Sequence, residues 1–70
     1  MLWWFERDGQ HVQVEVLHLV DGRCELRIRA RDGQERVETF VDATELAKRQ
    51  QAVQDELIAN GWKRAGEWLL

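Results

Sequence analysis

Two histidines, one cysteine, thirteen carboxylates and ten Lys or Arg side chains are the groups in this chain that could do chemistry. A metal centre needs several of them clustered. His11 and His18 lie seven positions apart, roughly 23 Å along an extended strand at about 3.3 Å per residue. They cannot share one ion within a chain. Nucleophilic catalysis needs an activated Ser, Thr or Cys. The chain has no serine; Thr39 falls inside an extended segment and Thr44 in the first turn of a helix. Cys24 sits next to a turn on an apolar face, where a free cysteine behaves as a small hydrophobe. Glu35, Glu38, Glu45 and Glu56 read as cross-strand and helix-surface charges rather than as an acid–base pair. Each glycine of the first half belongs to a turn, so no phosphate-cradling loop is formed. The expectation is a non-enzyme with no cofactor and no metal.

Arginine and tryptophan remain. Arg27, Arg29 and Arg31 alternate along one segment, and Arg36 follows in the next. Arginine suits bidentate recognition of phosphate or carboxylate. Trp4 adds an aromatic that can stack on a base or fill a partner's pocket. These five residues, Trp4, Arg27, Arg29, Arg31 and Arg36, are the candidate binding surface. It reads as a solvated face, with Arg27 paired to Glu38 and with Glu15 and Glu25 diluting the charge, as a protein interface, or as a nucleic-acid surface. The formal net charge of −3 argues against a dedicated nucleic-acid binder, whose footprint is basic. A protein partner or a homodimer is the leading expectation, and nucleic acid the alternative; no small-molecule substrate is implied.

The elements that must position these residues are marked by three Asp-Gly pairs: Asp8-Gly9, Asp21-Gly22 and Asp32-Gly33. Asp-Gly is favoured in two-residue hairpin loops, which need positive φ at both positions. Their spacing predicts a four-stranded antiparallel meander over about residues 2–7, 10–20, 23–31 and 34–41. In two-residue registers, Phe5 faces Val12 and Trp3 faces Val14. Ile28 then faces Val37, Leu26 faces Thr39, and Arg36 lies across from Arg29. The outer face carries Trp4, Arg27, Arg29, Arg36, Glu38 and Phe40.

The middle hairpin conflicts with strict alternation. A two-residue loop at Asp21-Gly22 brings Leu17 and Leu19 inward, whereas Val12, Val14 and Val16 claim the inner face with the opposite parity. A β-bulge near Val16-Leu17 reconciles them and sets His18 against Glu25. A three-residue loop is the alternative, turning His18 inward opposite Leu26.

A helix follows, capped by Asp42 with Glu45 three residues on. Its apolar stripe is Ala43, Leu46, Ala47, Val53, Leu57 and Ile58, and Asn60-Gly61 stops it. Trp62 is placed to fold back on the last turn. Residues 63–70 form either a short fifth strand or a docked extension. The fold class is α+β, one domain over residues 1–70, with the helix on one face of the sheet.

Seventy residues lie near the lower limit for a single core. The lone cysteine allows no intrachain disulfide, and four tryptophans, each able to bury roughly 150–250 Å², either stand in for a larger core or in part cover a partner. The apolar start of five residues is too short for a signal peptide, and no segment reaches the roughly 20 apolar residues of a membrane span. A cytoplasmic protein that does not engage membranes is expected.

Asp32-Gly33-Gln34 through Phe40, then Asp42-Ala43 and Gly61-Trp62, resemble the second half of WGR domains over about residues 32–62. Those modules occur in poly(ADP-ribose) polymerases and some bacterial proteins and place a helix after an antiparallel sheet. The resemblance implies the same meander and helix here. The Trp-Gly-Arg triplet itself is replaced by Arg29-Ala30-Arg31, so the family's DNA contact is not carried across. The layout also resembles that of short bacterial proteins.

Overall fold

The structure, a computed structural model, describes residues 1–30 and 32–68. Strands β1 (Leu2–Arg7) and β2 (Gln10–His18) pair through Asp8-Gly9. Asp8 has φ 51° and Gly9 φ 78°, the left-handed pair that a two-residue loop requires. Phe5 faces Val12, Trp3 faces Val14 and Trp4 faces Gln13, as the alternation predicts.

The second and third Asp-Gly pairs behave differently. Strand β3 (Cys24–Ala30) pairs with β2 so that His18 faces Cys24, Leu17 faces Glu25 and Val16 faces Leu26. Leu19 and Arg23 close the turn by backbone hydrogen bonding (Leu19 N to Arg23 O, 2.8 Å), leaving three residues in the loop. The bulge expected near Val16-Leu17 is therefore not formed; the register runs unbroken from Val12 to His18. His18 meets Cys24, not Glu25 or Leu26. The reason is local. The Asp21 carboxylate accepts the Arg23 amide (3.1 Å), and Gly22 alone takes the left-handed residue at φ 88°. Asp here mimics a backbone turn instead of occupying positive φ.

Strand β4 (Glu35–Phe40) repeats that solution. Ala30 donates to the Gln34 carbonyl (2.9 Å), Gly33 has φ 87°, and the Asp32 carboxylate accepts the Gln34 amide (2.9 Å). One extra loop residue inverts the strand. Ile28 faces Arg36 and Leu26 faces Glu38, not Val37 and Thr39. Arg36, Glu38 and Phe40 thus move to the inner face, and Val37 and Thr39 to the outer one.

Helix α1 (Ala43–Ala59) begins at Asp42, whose side chain accepts the Thr44 amide (2.8 Å). Glu45 lies beside Lys48 (3.5 Å). The helix ends in a Schellman motif: Gly61 at φ 89° donates to Ile58, and Trp62 to Leu57. Arg7 braces this end. It donates to the Asn60 carbonyl (2.7 Å) and its guanidinium lies 4.6 Å from the Trp62 ring centroid, joining a carbonyl cap to a cation–π contact. Leu46 and Val53 are buried and Leu57 half-buried, whereas Ala43, Ala47 and Ile58 of the expected stripe are exposed.

Residues 63–70 resolve in favour of a strand as far as they are described. Strand β5 (Lys63–Trp68) pairs antiparallel with β1, giving the order β4-β3-β2-β1-β5. The chain therefore crosses the inner face as α1 between the two sheet edges. Leu69 and Leu70 lie outside the described residues. The core sits between sheet and helix: Trp3, Phe5, Val12, Val14, Val16, Cys24, Leu26, Leu46 and Val53 are buried, with Ile28, Phe40, Leu57 and Trp62 packed around them. This is an α+β domain with a five-stranded antiparallel sheet covered on one face. Among the described residues no helix is long and apolar enough to cross a membrane.

Candidate binding surface

Side chains alternate across a pleated strand, so each residue between two core positions is directed to the opposite, outer face. Leu2 and Trp4 on β1, Leu17 on β2, and Arg27 and Arg29 on β3 arrive there by this rule. Trp4, Arg27 and Arg29 lie where the sequence places them. Arg36 does not: it stands opposite Ile28 on the helix side. Arg31 lies outside the described residues.

Trp4 is held by a feature that sequence reasoning missed. It faces Gly66 of β5, and its ring lies flat against that glycine. A Cβ on Gly66 would fall 2.4 Å from Trp4 Cζ2 and 2.7 Å from Cε2. The register between β1 and β5 shifts just there, between Trp4 and Phe5, where a bulge makes room. A lone glycine inside a strand is the sequence signal for such a close approach. Leu2, Trp4, Gln13, His11 and Trp68 line a shallow, largely apolar hollow of about 320 Å³. Trp68, opposite Leu2, is 64% exposed.

The arginines beside this hollow are already neutralised. Arg27 lies 3.1 Å from Glu25 and 3.8 Å from Glu35, and Arg29 lies 3.3 Å from Glu35. The Arg27–Glu38 pair expected from the two-residue register is absent because Glu38 faces the helix. There both its carboxylate oxygens accept from Arg49 Nε (3.0 and 3.1 Å). Val37, at 46% exposure, takes the place on the outer face that Arg36 was expected to hold. Among the described residues, Arg27 and Arg29 thus stand among Glu15, Glu25 and Glu35, so each positive charge of this strip has carboxylates beside it.

Of the groups suited to covalent or metal chemistry, His11 borders the hollow, while His18 and Cys24 lie on the helix side. His18 Nδ1 is 3.4 Å from Cys24 Sγ, an adjacency produced by the three-residue loop. The thiol belongs to the buried core, so little of the sulfur is open to a reactant. His11 lies 3.9 Å from Glu6 at the other end of β2. Among the described residues no three His, Cys, Asp or Glu side chains come together as a metal site.

Fold and surface together define a small α+β domain with one sheet face sealed by a helix and the other open. Comparison of the chain with protein-family models, with curated proteins and with solved structures finds no match.

Proposed function

We propose that this domain is a non-catalytic binding module whose open sheet face receives a protein partner. The observation that carries this reading is the Trp4–Gly66 contact. A glycine within β5 gives up any side chain of its own, and a large aromatic is thereby laid flat beside Leu2 and the exposed Trp68. Paired charges of Arg27, Arg29, Glu25 and Glu35 border this apolar ground. Aromatic and arginine side chains at a desolvated centre are the composition of protein interfaces. Phosphate recognition needs unpaired cations, and among the described residues the two outer-face arginines, Arg27 and Arg29, have carboxylate partners.

The test compares the wild type with Trp4→Ala and Trp68→Ala, after circular dichroism has established that the variants are folded. Proteins retained by the immobilised wild type should be lost by both variants. A separate arm titrates single- and double-stranded nucleic acid at about 50 mM salt, where phosphate contacts are strongest. No binding is expected. Binding that falls steeply with added salt would replace the protein reading by the nucleic-acid one.

A further inference from the structure

The free edge of β4 carries a second surface, independent of the outer face and of the function proposed for it. β4 ends the sheet beyond β3. The bond from the Ala30 amide to the Gln34 carbonyl fixes the phase of their ladder. Arg36, Glu38 and Phe40 share the parity of Gln34, so they direct their amides and carbonyls towards Ile28, Leu26 and Cys24. Glu35, Val37 and Thr39 then direct theirs away from β3, along the open edge. Unpaired backbone groups of this kind are a template for another strand, and edges are commonly blunted by bulges, Pro or Lys. The opposite edge strand, β5, opens on Lys63 and is bulged. β4 has neither feature: it reads Glu35-Arg36-Val37-Glu38-Thr39-Phe40 and runs in unbroken register.

This segment is complementary to itself when reversed. A two-fold axis through Val37, perpendicular to the sheet, sets two copies of β4 antiparallel with both faces continuous. Val37 then meets Val37, Glu35 meets Thr39, and Arg36 meets Glu38 twice over. The residues with free backbone groups form the hydrogen-bonded pairs. Arg36 and Glu38 form the intervening pairs, where the strands bring side chains closest, with Cα atoms about 4.5 Å apart. Neighbouring registers are worse. An axis on Arg36 sets Arg36 against Arg36, and one on Glu38 sets Glu38 against Glu38; like charges directly opposite are destabilising. An axis on Thr39 runs Glu35 against Ala43, where the helix has begun. The structure also leaves Arg36 exposed, with no carboxylate within ion-pair distance among the described residues.

We infer that the chain forms a two-fold dimer by antiparallel β4–β4 pairing centred on Val37, with Arg36 of each copy against Glu38 of the other. Two five-stranded sheets become one continuous sheet, and the open faces of the two copies lie side by side.

Sedimentation equilibrium from about 10 μM to about 1 mM should show the mass rising from 8.3 kDa towards twice that value. R36E and E38R should each stay at the monomer mass alone. Mixed in equal amounts they should recover the dimer, because every introduced charge then meets its opposite. E38R also removes the partner of Arg49, so a second variant keeps both charges. V37C should cross-link to itself under mild oxidation, since hydrogen-bonded antiparallel partners lie about 5.5 Å apart at Cα, within disulfide range. A wild-type mass fixed at 8.3 kDa overturns the inference, as does a dimer that R36E leaves intact.

Discussion

Neighbouring residues of β1 meet opposite environments. Trp3 and Phe5 are 3% and 0% exposed beneath the helix, whereas Leu2 and Trp4, on the same strand, are half-buried on a face that no described element covers. The inner face is held by burial of apolar area, worth roughly 25 cal/mol per Å². The outer face is held by one aromatic–glycine contact and a row of carboxylate–arginine pairs, each worth about 0–1 kcal/mol when exposed. The difference separates two tasks. Stability is concentrated on the helix side, so the outer side is free to carry side chains chosen for another purpose.

Truncation should expose that separation most sharply at Phe5. Phe5→Ala removes a fully buried ring at a cost of about 3–5 kcal/mol, comparable to the whole stability expected of a domain this small. Urea unfolding should find the variant largely unfolded without denaturant. The matching outer-face change, Val37→Ala, truncates a side chain that is 46% exposed and should cost under about 1 kcal/mol. Equal losses at the two positions would erase the distinction between the faces.

Much of the inner face was legible from alternation alone. Trp3, Phe5, Val12, Val14, Val16, Cys24 and Leu26 alternate along three strands, and a helix is the simplest cover for them. The helix boundaries were equally plain, because Asp42 and Gly61 act through local backbone chemistry. The outer face was harder, because its composition depends on loop length. Asp-Gly marks each of the three hairpins, but whether Asp supplies positive φ or accepts the amide two residues on is decided by the flanking pairing. Asp8 does the first; Asp21 and Asp32 do the second. The apolar parity of β2 exposed that ambiguity at Asp21, where both Val and Leu runs compete for one face. β4 offered no such conflict. Val37 fits an inner face as readily as Phe40 does, so the one-residue shift that inverted Arg36 left no trace in the pattern.

Gly66 offers a test on the outer face alone. An added Cβ would stand 2.4 Å from the Trp4 ring, so Gly66→Ala must displace the indole or spread β1 from β5. A loss of about 1–3 kcal/mol is expected, the range for forced overpacking. In a Trp4→Ala background the same substitution should be neutral or stabilising, since Ala restricts the unfolded chain more than Gly does. The double-mutant cycle therefore reports the contact directly. If Gly66→Ala costs the same in both backgrounds, Trp4 is not what requires glycine, and the outer face loses its one positioning device.

The smallest effect expected is at the turn that distinguishes β2–β3 from β1–β2. The Asp21 carboxyl is held below its usual 3.8, first by the hydrogen bond from the Arg23 amide and then by the Arg23 guanidinium, 2.6 Å away, with desolvation opposing. A carboxylate whose folded value is depressed stabilises the fold above its unfolded pKa and loses that contribution as pH falls through the lowered folded value. Asp21→Asn keeps an oxygen for the Arg23 amide but removes the charge. The wild type should therefore melt slightly above the variant at neutral pH, and the gap should close as pH falls from about 5 to about 2. Thermal melts across that range provide the measurement. A gap that is constant with pH would mean that the three-residue loop is set by backbone shape alone and owes nothing to the carboxylate's charge.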